Sequence, residues 1–256
     1  MTDFLLNLEK LQPKTYPLWY ARTYGDPSHL YEDDPMNNCS VEGHKVAPDF
    51  ARFIAPRLRG RVLDIGCGPQ ATPLYLEGYP PAMISGIDPL WPTSYHNFEF
   101  AQGVAEFLPW DDATFDTVIT GTSLDHVLDL ARAMDELARV LKPGGLYMAW
   151  EHIFSDVPPY VAGVPHAYQD ECHLFKFGPW FFDWLEARGL VLGLQGPGMF
   201  AFQKKEDAAR RVPNLTNVRF RSGGTNETSS AGGDGNSPQP DDDTLQQWHN
   251  ARMGFG

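Results

Sequence analysis

The stretch Asp64-Ile65-Gly66-Cys67-Gly68-Pro69 places a carboxylate two residues ahead of a pair of glycines separated by one residue. Glycine takes backbone angles that cost other residues energy, and it has no Cβ to hold a ligand off the main chain. A second acid, Asp88, follows after roughly 20 residues, where a carboxylate can accept from both hydroxyls of a ribose. The chemistry this spacing allows is the holding of a nucleoside-like cofactor at the end of a strand. A dinucleotide, as in an NAD-dependent oxidoreductase, satisfies the glycine spacing but meets two objections. Asp64 stands where dinucleotide binders bury an apolar residue, and Pro69 has no N–H to offer a pyrophosphate. A cofactor with a ribose and no phosphates fits better.

Three histidines are candidates for moving a proton near such a site, because imidazole titrates close to neutrality. His126 follows an apolar run ending near Thr120. His152 lies in Glu151-His152-Ile153-Phe154, and His173 in Asp170-Glu171-Cys172-His173-Leu174-Phe175. For His126 a pocket-shaping role competes with that of a base, and His173 stands first of the three as base. A metal reading would use Asp170, Cys172, His173 and His166, but their spacing matches no compact zinc pattern, so no metal is expected. Cys67 reads as a small space-filling residue rather than a reactive thiol.

The elements that must position these residues alternate between strand and helix from 61 to 151, which predicts a parallel sheet covered on both faces. Strands are expected at Val62–Ile65, Met83–Asp88, Phe98–Gln102, Thr117–Thr120 and Leu146–Trp150. A helix from about Leu130 to Leu141 carries an apolar face of Ala133, Leu137, Val140 and Leu141, and Pro143-Gly144-Gly145 stops it. Residues 151–178 form an aromatic- and His-rich insertion on the acceptor side. A helix follows at Pro179–Arg188, then a hairpin of Leu190–Leu194 and Met199–Phe202. Ahead of the core, Phe4, Leu5, Leu8 and Leu11 suggest an amphipathic helix, the aromatic-rich stretch from Tyr16 to Tyr31 reads as loop, and Val46–Leu58 reads as helix ending at Gly60. Residues 1–60 are thus a helical cap or lid over the pocket, or a packing layer on the sheet. From 206 to 256, Gly, Ser, Asn, Asp and Pro predict a flexible, disordered tail. Tyr20, Tyr24, Trp91, Tyr95, Trp110, Tyr160, Tyr168 and Trp180 could together line an apolar acceptor pocket, or individually anchor the cap.

The 256 residues carry a formal net charge of −13, with no basic stripe, which makes nucleic acid and anionic membrane unsuitable partners. Three widely spaced cysteines, Cys39, Cys67 and Cys172, form no disulfide framework and point to a reducing compartment. With no basic-then-apolar start and no apolar run long enough to span a bilayer, a cytoplasmic protein is expected. A homo-oligomer is compatible with all of this.

Beyond the glycine stretch, the chain resembles the class I S-adenosylmethionine-dependent methyltransferases of small-molecule type in five blocks. Asp64-Ile65-Gly66-Cys67-Gly68 resembles their first motif, and Gly86-Ile87-Asp88 the second strand with its ribose-binding acid. Ala105 through Asp116, Ser123-Leu124-Asp125-His126-Val127 and Glu136 through Gly145 resemble the three that follow. The resemblance implies a Rossmann-like α/β fold: a mostly parallel seven-stranded sheet, helices on both faces and an antiparallel last strand, over a core of residues 61–205. It implies S-adenosyl-L-methionine as cofactor, with Gly66, Cys67 and Gly68 along its methionine part and Asp64 offsetting the ammonium. Asp88, with Pro89, would hold the ribose; Ala105 and Glu106 would lie beside adenine, although Val104 replaces an Asp common in the family. Thr120 and Ser123 would line the channel beside the sulfonium, and His173 would fall close to the acceptor. The implied activity is methyl transfer to a small-molecule acceptor, O-methylation ahead of N-methylation. The alternative of another class is a cofactor-binding regulatory or scaffold subunit without turnover.

Overall fold

The computed structural model describes residues 2–24, 43–90, 96–164, 166 and 173–206. The expected tail at 206–256 lies outside them except for Glu206, as do Cys39, Trp91, Tyr95, Tyr168, Asp170, Cys172 and the side chain of Tyr24.

Strand β1 (Val62–Ile65) is buried at every position, as a strand covered on both faces must be. It pairs in parallel with β2 (Ile84–Asp88) on one side and β4 (Phe115–Gly121) on the other. β3 (Glu99–Gln102) extends the sheet beyond β2, and β5 (Leu141–Trp150) extends it beyond β4. β7 (Met199–Lys204) runs antiparallel to both β5 and the edge strand β6 (Leu190–Gly196). The order is therefore β3-β2-β1-β4-β5-β7-β6, the mostly parallel seven-stranded sheet anticipated from the sequence. The order reverses between β1 and β4, and in open α/β sheets ligands bind beyond the strand carboxyl ends at that reversal.

Alternation along the strands sends Leu63, Ile65, Val118 and Ala149 to one face and Val62, Ile119 and Met148 to the other. The second face is covered by α3 (Ala47–Ile54) through Phe50 and Ile54. The first is covered by α4 (Leu130–Val140) and α5 (Trp180–Ala187). Asp129 caps α4, its side chain accepting from the Arg132 amide at 3.1 Å. At the other end the buried Lys204 ammonium donates to the carbonyls of Ala138 and Leu141 at 2.5 and 2.6 Å. Two further helices, α1 (Asp3–Leu11) and α2 (Tyr16–Tyr24), bury Phe4, Leu5, Leu8, Tyr16 and Trp19 against Val104 and Leu128. Those last two residues follow β3 and β4, so the N-terminal helices sit at the carboxyl edge of the sheet.

Several expectations need correction. Residues 16–24 are helical rather than loop: Pro17 falls in the first turn, where a missing N–H costs nothing. Between β1 and β2 there is no α-helix, only 3₁₀ turns at Leu74–Leu76 and Pro81–Met83, because Pro69, Pro73, Gly78, Pro80 and Pro81 punctuate the segment too densely. β5 starts directly after α4, and Lys142 to Gly145 are absorbed where the pairing jumps from Phe115↔Leu141 to Thr117↔Leu146. Of the aromatics proposed for an acceptor pocket, Tyr160 and Trp180 are core residues. Trp110 packs on Phe115 and donates to Glu99, at the amino end of the sheet and away from the strand carboxyl edge.

Leu137 is fully buried between α4 and the sheet. Leu137→Ala should cost about 2–5 kcal/mol in urea unfolding; a loss under about 1 kcal/mol would contradict this packing.

Candidate active site at the carboxyl edge of the sheet

Four carboxyl groups are buried along one edge: Asp64 within β1, Asp88 at the end of β2, Glu106 after β3 and Glu151 after β5. Among the described residues none of them forms an ion pair with Lys or Arg. Asp64 accepts from the Tyr75 hydroxyl at 2.8 Å through Oδ2, while Oδ1 has no partner. Burial pushes Asp64 up to about 7. Asp88 accepts from the amides of Gly68 at 3.1 Å and Leu90 at 3.0 Å, and burial pushes it up to about 6. Glu106 accepts from the amides of Leu128 and Asp129 at 2.6 and 2.9 Å, so its Oε1 braces the start of α4. Its Oε2 is without a partner and burial pushes the group up to about 7. Glu151 is pushed well above the usual carboxylate range by burial first and by the charge of Asp125 second, and its Oε1 is unpartnered. Buried acids without cations are costly, and the edge they line suits a positively charged ligand.

The glycine loop joins two of these acids: it begins just after Asp64 and donates the Gly68 amide to Asp88. Gly66 and Gly68 have φ of +79° and +71°, the left-handed region that favours glycine. The Gly66 amide donates to Ile87 O at 2.8 Å, tying the loop to the end of β2. Ser123, from the turn after β4, donates to Ile65 O at 2.5 Å. A Cβ on Gly66 would lie 2.4 Å from Ser123 Cβ, so the two loops meet with no room for a side chain. Thr122 in that turn has φ of +58°, a conformation that costs a β-branched residue on the order of 1–3 kcal/mol, and its amide donates to Trp150 O. Thr120 is buried with its hydroxyl 2.8 Å from Tyr147 Oη. No helix N-terminus follows Gly68, so the amide cradle a diphosphate needs is missing.

The histidines divide. His126 and His173 come together, rings 4.9 Å apart, each with Nε2 3.6 Å from a different oxygen of Asp125. Their backbones are fixed from α2 and across the site. Trp19 Nε1 donates to His126 O at 2.8 Å, Arg22 to His173 O at 3.2 Å, and the Leu174 amide to Asp125 O at 3.0 Å. His152 is exposed, and no described contact joins it to this pair. His166 packs near Phe175 with Nε2 against Pro158 O, so it does not share a cluster with His173.

Sequence reasoning missed Tyr75, which sits in a Pro- and Gly-punctuated stretch with no periodic signal. It also missed His96, whose Nε2 lies 2.8 Å from Gly68 O and whose ring stacks on Phe100. Asp125 and Glu151 stood in quoted motifs but drew no role; their signal was position, since each follows a central parallel strand.

Residues 63–149 match the family model described as a methyltransferase domain. The chain is 35% identical over 132 residues to a demethylmenaquinone methyltransferase of Chlorobaculum tepidum, covering 49% of this chain and 53% of that protein. It is 32% identical over 149 residues to a fatty-acid O-methyltransferase of Mycolicibacterium smegmatis, covering 50% and 53%. The chain thus spans about half the length of the curated relatives it matches. In fold it is similar to a Burkholderia thailandensis 1,6-didemethyltoxoflavin-N1-methyltransferase, with a TM-score of 0.52, 14% identity, and coverage of 77% and 90%. The glycine loop, the acids beyond the parallel strands and these matches agree: residues 63–149 carry a methyltransferase domain, the part of the chain that the family model covers.

Proposed function

We propose that this protein transfers a methyl group from S-adenosyl-L-methionine to a hydroxyl of a small-molecule acceptor. The observation that carries the reading is the row of buried carboxyls without cationic partners along the edge where the strand order reverses between β1 and β4. In this reading Asp64 Oδ1 takes the cofactor's ammonium, Gly66, Cys67 and Gly68 lie along its methionine part, and Asp88 beside Pro89 takes the ribose hydroxyls. Ala105 and Glu106 flank the adenine, with Oε2 of Glu106 the free acceptor, and Thr120 and Ser123 border the methyl. An O-acceptor is favoured over an N-acceptor by the histidine pair: a hydroxyl must lose a proton, and His173, with His126 and Asp125 beside it, is built to take one. His152, exposed and apart, is the weakest of the three candidates. Three matched relatives are O-methyltransferases by name, from Penicillium expansum, Mycolicibacterium smegmatis and Aspergillus nomiae.

The sulfonium methyl is already activated, so alignment and deprotonation are what these residues contribute. Alignment supplies roughly 7–11 kcal/mol in well-oriented systems, and a positioned base about 10²–10⁴-fold. The N-terminal helices α1 and α2 act as the cap over this edge. A small acceptor fits the strongly negative chain better than nucleic acid does. Among the described residues no helix is long and apolar enough to cross a membrane, and a cytoplasmic setting suits the cysteine usage.

Asp64 and Asp88, held near 7 and 6 in the free protein, should ionise when a cation binds. Calorimetric titration of the cofactor at pH 6.5, in two buffers of different ionisation enthalpy, should therefore show net proton release and affinity that rises toward pH 8. Identical heats in both buffers would contradict this. Asp88→Ala should weaken cofactor binding at least about tenfold, because the ribose loses its acceptor; unchanged affinity would remove Asp88 from the site. With an acceptor identified by a one-methyl mass gain, His173→Ala should lower kcat by about 10²–10⁴-fold with cofactor affinity retained. Full activity in both the His173→Ala and His126→Ala proteins would refute histidine-assisted O-transfer.

A further inference from the structure

We propose that Asp125, His126 and His173 form a binding site for one divalent transition-metal ion, open on the side facing the acceptor. The proposal rests on the reading above for O-methyl transfer and the acceptor's location, and puts a metal ion in place of the imidazole base, since a nitrogen bound to a metal cannot also take a proton. The three side chains offer one carboxylate oxygen and two imidazole nitrogens that lie within 4.8 Å of one another, and all three are partly buried. Each imidazole Nε2 stands 3.6 Å from an Asp125 oxygen, which is too long for a hydrogen bond. Each histidine faces its own Asp125 oxygen, at a separation near the roughly 3.4 Å between neighbouring nitrogen and oxygen ligands of zinc held at about 2.1 Å. Two histidines and one carboxylate are the donor set of open, catalytic divalent sites, which keep positions for water or substrate.

The frame around the trio is unusually fixed for a surface cluster. Trp19, itself buried, holds the carbonyl of His126; Arg22 holds that of His173; Leu174 holds that of Asp125. Asp125 and His126 are adjacent in a single 3₁₀ turn, Leu124–His126, whose His126 amide donates to Ser123 O. Backbones pinned from three directions leave little for a metal to organise on arrival, which is how ligand sets are kept at productive spacing. The contacts from α2 also give the N-terminal helix a direct hold on the ligand geometry.

An ion at this place would bind the acceptor's oxygen and lower its pKa, as divalent ions do for bound water. The hydroxyl proton leaves to solvent. The oxygen lone pair then forms the O–CH₃ bond, the C–S bond breaks, and its electron pair stays on sulfur to give the neutral thioether. No oxidant or reductant enters the step.

The test uses the full chain, stripped with chelator and titrated with Co²⁺ while visible d–d absorption is followed, with Zn²⁺ competition by calorimetry. The expected result is one saturable site with absorption bands typical of nitrogen and oxygen donors in low coordination. His126→Ala, His173→Ala and Asp125→Asn should each weaken it at least about tenfold. S-adenosylmethionine affinity and far-UV dichroism, measured on the same samples, show whether each variant is folded; Asp125→Asn, nearly isosteric, serves if a histidine variant is not. Absence of saturable Co²⁺ binding to the parent protein overturns the proposal, as does binding unchanged in folded variants. Methyl transfer that survives chelation but falls in His173→Ala would also overturn it while leaving the histidine base of the previous section intact. Loss of S-adenosylmethionine binding by the parent protein would instead overturn the methyltransfer reading itself.

Discussion

The structure depends on a set of acids buried where a folded protein can least easily keep them charged. Moving Asp64 from 3.8 to about 7 corresponds to roughly 4 kcal/mol separating the charged group in water from the same group in the fold. Because the folded-state value is raised, that stability is present at low pH and is lost as pH climbs from about 4 to about 7. Asp88 and Glu106 add to the same slope. A chain of marginal stability keeps such groups only where something offsets them, and the hydrogen bonds from Tyr75, Gly68 and Leu90 do so in part. In the proposed reading, a sulfonium and an ammonium arriving together on one ligand supply what those bonds do not.

The rest of the fold serves to bring these groups to one edge. Parallel pairing of β1 with β2 and β4 aligns their carboxyl ends, and the reversal of order at β1 opens a gap there. Two local conformations complete it: the left-handed glycines after β1 and the strained Thr122 after β4. The two loops touch through Ser123 and Ile65, so neither can shift without the other. On the outer side, α1 and α2 pack on Val104 and Leu128, and α2 holds the backbones of both histidines. The histidine cluster and the glycine loop are thereby linked through short contacts.

Much of this was legible in the residues. The strands were readable because Val62 to Ile65 or Val118 to Thr120 are short apolar runs ended by turn signals, and because α4 carries an unbroken apolar face closed by Asp129 and Lys142-Pro143-Gly144. What could not be read were effects of partners distant in sequence. Tyr75 meets Asp64 only because a proline-rich segment folds back over β1. Asp125 gains its meaning from His173, 48 positions away in the chain, whose ring arrives through the insertion. Residues 16–24 looked like loop because Pro and Tyr are weak helix formers; the burial of Tyr16 and Trp19 overrides that propensity. Trp110 and Tyr160 illustrate the converse, since an aromatic side chain alone does not reveal whether it faces a pocket, the core or the far end of a sheet.

The most direct test of the central claim is a crystal structure of the protein soaked with S-adenosylmethionine. The account predicts density for the nucleoside against the glycine loop, with both ribose hydroxyls on Asp88 and the ammonium on the free oxygen of Asp64. A nucleoside bound elsewhere, or the loop left empty at saturating ligand, would contradict it.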